Sequence, residues 1–165
     1  MRRFLGSGAA GVAALLCSVA LAQAAEPLTE TVHLVVTGGA NAGTYNASST
    51  RGGCSAGATG AGSWGNQLSD PKDKDPKHFN SLQLIVPDAK GAAHGTKSFT
   101  LIVGFGPLMH RGAEYNVVTT GAKTKGSGTV TVMDHGTTAR VDFDVKTADG
   151  VKLAGTIDCK QVMRM

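Results

Sequence analysis

Period-2 alternation of apolar and polar residues constrains this chain most. It recurs along most of the length, and no stretch sustains a helical period. Residues 31–36 place Val32, Leu34 and Val36 on one face. Residues 79–86 do the same with Leu82, Leu84 and Val86, and residues 97–105 with Phe99, Leu101, Val103 and Phe105. Tyr115 and Val117 follow, then Val130 and Val132, then Val141, Phe143 and Val145, then Leu153, Gly155, Ile157 and Cys159. Side chains alternate across a strand, so each run predicts a strand with one dry face.

The last three runs are joined by short turns. Asp134-His135-Gly136-Thr137 separates the first two, and Thr147-Ala148-Asp149-Gly150 the second two. Asp-Gly supplies the positive φ of a tight hairpin, so residues 128–160 are expected to form an antiparallel meander. Asp142 and Asp144 fall on the face opposite Val141, Phe143 and Val145, as in a sheet packed on one side. The expected fold is all-β: an antiparallel β-sandwich of about seven to nine short strands, with a barrel as second choice.

The N-terminus reads as a secretory signal. Arg2 and Arg3 precede an apolar stretch from Phe4 to Leu21, and Ala22-Gln23-Ala24 is an A-x-A cleavage site. Gly6, Gly8 and Gly11 interrupt the stretch, which makes it a poor membrane span, so no stable transmembrane segment is expected after cleavage. Residues 1–24 are thus expected to be removed, leaving residues 25–165 as one domain. Two of the 16 basic residues leave with the signal, so a formal charge of +4 falls to +2. So small a surplus, without basic and aromatic residues interleaved, leaves no footprint for nucleic acid. Export implies a periplasmic or extracellular location.

Of three cysteines, Cys17 lies in the signal and Cys54 and Cys159 remain. Two cysteines in an oxidising compartment pair, so a Cys54–Cys159 disulfide is expected. Without a CxxC it is a structural clasp rather than a redox centre. Cys159 shares a face with Leu153, Gly155 and Ile157, which places the bridge in or beside the core. Gly is 23 of 165 residues, about twice the usual ~7 %, and it concentrates in residues 52–65, which read as a flexible or bulged stretch. Residues 70–77 read as a charged loop.

The short motifs lack the context their chemistry needs. Gly60-Ala61-Gly62-Ser63-Trp64-Gly65 matches G-x-G-x-x-G, but Asn66-Gln67-Leu68-Ser69-Asp70-Pro71 cannot open the helix a dinucleotide site requires. Ser63 sits one substitution from a G-x-S-x-G elbow, which belongs between a strand and a helix. Lys72, Lys74 and Lys77 neutralise the Asp70, Asp73 and Asp75 cluster, so it is not a calcium loop. Trp64-Gly65-Asn66-Gln67-Leu68 is similar to the first strand of the avidin and streptavidin family, where Trp-x-Asn-x-Leu contributes to a biotin site. That family closes its site with further tryptophans, whereas Trp64 is the only one here, and its Gly-x-x-Gly-x-Tyr hairpin does not follow.

Five histidines (His33, His78, His94, His110, His135) and the methionines Met109, Met133, Met163 and Met165 lie beyond the signal. Thioether and imidazole suit a soft ion such as Cu(I), and Met109, His110, Met133 and His135 are the candidate ligands. If the strand around Val132 continues far enough, Met133 and His135 share a face. The leading reading is an exported, non-catalytic binding or interaction module, without cofactor, for an unknown protein or small ligand. Its surface is expected on loops, with residues 52–65, 70–77 and 108–113 as candidates. A periplasmic copper-binding protein is the alternative, and a small secreted enzyme the third reading.

Overall fold

The computed structural model describes residues 28–50, 52–70, 75–107 and 112–165. The expected signal, Met109 and His110 lie outside them. The elements in chain order are β1 (Glu30–Thr37), β2 (Gly43–Ser49), β3 (Gly53–Ala56), β4 (Trp64–Ser69), β5 (Phe79–Val86), α1 (Ala89–Ala92), β6 (Thr100–Phe105), β7 (Glu114–Val118), β8 (Ser127–Asp134), β9 (Ala139–Lys146), β10 (Lys152–Cys159) and β11 (Val162–Arg164). They form two sheets, sheet A in the order β2-β1-β10-β9-β8 and sheet B in the order β11-β3-β4-β5-β6-β7. All pairings are antiparallel except β11 with β3. The fold is the expected all-β sandwich, with eleven strands among the described residues rather than seven to nine.

The alternating runs become strands because each buries one face. Leu34, Val130, Val141, Leu153 and Ile157 of sheet A, and Leu82, Leu84, Leu101, Val103 and Val117 of sheet B, are fully buried between the sheets. Each aliphatic side chain so buried contributes about 1.5–3 kcal/mol. The meander forms as expected, with β8, β9 and β10 side by side. The run at residues 97–105 enters its sheet only at Thr100. The backbone N–H of Phe99 instead donates to the Thr119 side-chain hydroxyl at 2.8 Å, while its ring stays buried.

Residues 52–65 are largely ordered as β3 and the hairpin turn into β4, not as a flexible stretch. The glycines serve the turn: Gly57, Gly60 and Gly62 all take positive φ. The anchoring side chains are few but deep, with Cys54, Trp64, Asn66 and Leu68 all buried. The Trp-x-Asn-x-Leu residues thus point between two sheets. The G-x-G-x-x-G match lies in a hairpin turn that leads into a strand. In that turn the buried Ser63 hydroxyl accepts from the backbone N–H of Thr59 at 3.1 Å.

The disulfide joins the two layers. Cys54 belongs to β3 of sheet B and Cys159 to the end of β10 of sheet A, with Cα atoms 5.9 Å apart. The chain crosses between the sheets at the same place: after Cys159 it runs through Lys160 and Gln161 into β11, where Val162 pairs with Cys54. The cysteine strand is therefore not the last one. A second inter-sheet contact is aromatic. The Tyr45 ring of β2 meets Phe105 edge-on at 4.9 Å, and Phe105 meets Phe79 and Tyr115 at 5.8 Å each.

Candidate functional site

Strand register sorts every outward residue into rows, and the two outer faces differ in chemistry. Across sheet B one row reads Met163, Ser55, Gly65, Ile85, Thr100, Val118. The next reads Gly53, Gln67, Gln83, Ile102, Asn116, and the third Ser69, Ser81, Gly104, Glu114. Glu114, on the far edge strand, is the only charged residue of these rows. Sheet A presents Arg140, Asp142, Asp144, Lys146, Lys152 and Asp158 on its outer face, and Arg140 bridges Asp142 at 3.1 Å and Asp158 at 3.4 Å.

A trough of about 290 Å³ lies on the uncharged face. Gly65 stands on its row between Ser55 and Ile85 and contributes no side chain, while Ala58, Thr59, Met163 and Met165 complete the walls. Met163 and Met165 are 59 % and 75 % exposed, two of the three large apolar side chains left open to solvent among the described residues. Such a face loses little on desolvation, because amides, hydroxyls and thioethers shed water more cheaply than charges do. Sequence reading missed this face because its signal lies in the polar half of the alternation. That half becomes a surface only when the register of six strands is known. Of the loops expected to carry a ligand surface, residues 52–65 do line the trough, while residues 71–74 and 108–111 lie outside the described residues.

A second hollow, of about 540 Å³, lies on the other sheet beside β1 and β2, with His33, Asn46, Asp70 and Asp158 on its walls. Nδ1 of His33 and Oδ1 of Asn46 are 2.8 Å apart across the strands.

The described histidines scatter. His33 sits on β1, His78 precedes β5 with its Nε2 3.5 Å from Oδ2 of Asp70, His94 follows α1, and His135 lies in the β8–β9 turn. Met133 faces outward on β8 opposite Arg140, and the strand ends at Asp134, one residue short of His135. Among the described residues no three His, Cys, Asp or Glu side chains group as a metal site would require.

One interior cluster was invisible in the sequence. Glu30, on β1 directly opposite Cys159 of β10, is fully buried. Nδ2 of Asn66 donates to its Oε2 at 2.6 Å, and Sγ of Cys54 lies 3.8 Å from the same oxygen. Oε1 has no hydrogen-bond partner among the described residues. Burial pushes the Glu30 carboxyl above the ordinary glutamate range, and the Asn66 bond opposes this only in part. The native state therefore holds this proton at pH values where the unfolded chain has released it. Stability is complete below the unfolded value and declines as pH rises through the folded one, by at most about 1.4 kcal/mol per pH unit. Glu30→Gln is expected to remove that decline and to raise stability at neutral pH. Urea denaturation of both proteins between about pH 4 and pH 8 checks it; parallel curves would exclude a raised Glu30.

No known family model matches this chain, and no curated protein or solved structure is significantly similar to it.

Proposed function

We propose that this chain is an exported, non-catalytic binding module that engages an uncharged partner surface or a neutral small ligand through the outer face of sheet B. The observation that carries the reading is the contrast between the two outer faces. A sheet face open to water ordinarily carries interspersed charges, as sheet A does, whereas interface centres are depleted of charge and enriched in methionine. The trough at Gly65, walled by Met163 and Met165, supplies the concavity. Export is supported by the N-terminal sequence and by the disulfide, which persists in oxidising compartments.

The test places a photo-crosslinking amino acid at Gln83 on this face, or at Thr156 on the outer face of sheet A, in cells that export the protein. Discrete adducts from Gln83 and none from Thr156 are expected, and they should vanish when Gly65→Lys puts a charge in the trough. Absence of Gln83 adducts, or equal yields from both positions, would overturn the proposal.

A further inference from the structure

A methionine thioether is an apolar side chain that mild oxidants convert directly into a polar one, and access decides which thioether reacts. The thiols and the indole, which also oxidise readily, are closed to an oxidant here. Cys54 and Cys159 hold each other in the disulfide, and Trp64 is 1 % exposed. Met133 is half-buried on the outer face of sheet A, opposite Arg140. Among the described residues Met163 and Met165 are the open thioethers. They stand two apart in sequence, with Met163 outward beside Ser55, and both wall the trough at Gly65.

The bonds that hold β11 in place use neither sulfur. Val162 is buried, and its N–H donates to the Thr137 carbonyl at 2.9 Å. Nε of Arg164 donates to the Gly136 carbonyl at 3.0 Å, and the Met165 N–H to the Ala56 carbonyl at 3.0 Å. With both thioethers in solvent, an added oxygen displaces no core atom. It does change the trough, because a sulfoxide oxygen is an acceptor that a covering partner must either bond or leave unsatisfied. An unsatisfied one weakens binding by about tenfold or more.

We infer that Met163 and Met165 are a sulfoxidation site, at which an oxidant of the peroxide class turns the walls of the sheet B trough from apolar to polar and releases what binds there. The release rests on the sheet B reading; the site itself rests on exposure and packing. In the step, a sulfur lone pair attacks one oxygen of hydrogen peroxide, the S–O bond forms and the O–O bond breaks. The departing hydroxide takes the proton from the hydroxyl now on sulfur and leaves as water. Sulfur gives up two electrons and the peroxide gains them. A thiol-dependent methionine sulfoxide reductase reverses the change: two thiols become a disulfide, and the oxygen leaves as water. The polar wall is therefore a reversible state of a folded protein.

Hydrogen peroxide treatment of the purified, exported protein, followed by peptide mass spectrometry, tests the site. Met163 and Met165 should oxidise within about twofold of the rate of methionine in a free peptide, and Met133 about threefold or more slower. The thermal midpoint should move by less than about 2 °C, and retention on a hydrophobic-interaction column should fall. Met163→Leu with Met165→Leu should abolish that fall, because leucine has no sulfur to oxidise. For the release, protein with the photo-crosslinking amino acid at Gln83 is added to an extract of the exporting cells. Prior peroxide treatment should lower its adducts about tenfold or more, and repair by the reductase should restore them. Oxidation at Met163 and Met165 no faster than at Met133, unchanged retention, or loss of the fold would each overturn the site. Adducts that survive complete sulfoxidation, or a loss that the reductase does not reverse, would overturn the release. Absence of adducts before peroxide would overturn the sheet B reading and the release with it, while the peptide rates and retention still decide the site.

Discussion

Replacing Cys54 and Cys159 together by alanine is expected to lower unfolding stability by about 4–5 kcal/mol, the chain-entropy value for a bridge spanning 105 residues. A domain of this size has about 5–15 kcal/mol in total, so the variant should be barely folded at physiological temperature. In a thermal scan the midpoint should fall by roughly 10–20 °C. Urea denaturation should show a steeper slope for the variant, because the unbridged unfolded chain exposes more surface. The structure also gives the loss a location. Val162 pairs with Cys54 itself, and only Lys160 and Gln161 separate Cys159 from β11. Hydrogen exchange at Val162–Arg164 should therefore quicken more than exchange in the β8–β9–β10 meander. A stability change under about 1 kcal/mol would mean that the sheets hold together without the bridge.

Gly155→Ala is expected to cost about 3 kcal/mol or more, or to prevent the protein from accumulating. Gly155 lies at the centre of sheet A, between Leu34 of β1 and Phe143 of β9. A Cβ there would overlap the backbone carbonyl oxygen of His33 and approach Cζ of Phe143 to 2.8 Å. The carbonyl belongs to a strand paired on both sides, so it cannot shift without breaking the ladder. Phe143 is itself buried and has little room to swing. Thermal unfolding of Gly155→Ala alone and with Phe143→Leu separates the two contacts. Little recovery in the double variant is expected, because the His33 carbonyl remains. Near-wild-type stability of the single variant would show that β1 and β10 can part locally.

Gly155 also illustrates what an alternating pattern conceals. Leu153, Gly155, Ile157 and Cys159 place it on the inward face, but the ring of Phe143 beside it comes from the register of another strand. The β3–β4 hairpin is the opposite case. Its glycines mask the alternation, and only Trp64, Asn66 and Leu68 carry the inward face. Propensity reads such a stretch as loose, whereas the core decides by burying an indole and bonding a disulfide. β2 was missed for a related reason: Thr44, Asn46 and Ser48 are polar, and Tyr45 and Ala47 are weak apolar signals.

Taken by itself, the sequence determined the fold class, the meander and the pairing of Cys54 with Cys159, because local alternation and cysteine parity need no knowledge of distant neighbours. Tertiary structure alone decided the rest. It set Glu30 against the disulfide and left the outer face of sheet B uncharged in every row but the one that ends at Glu114. Each of these depends on which strands lie side by side and in what register. Pairing joins residues as far apart as Glu30 and Cys159, so that information is spread over the whole chain.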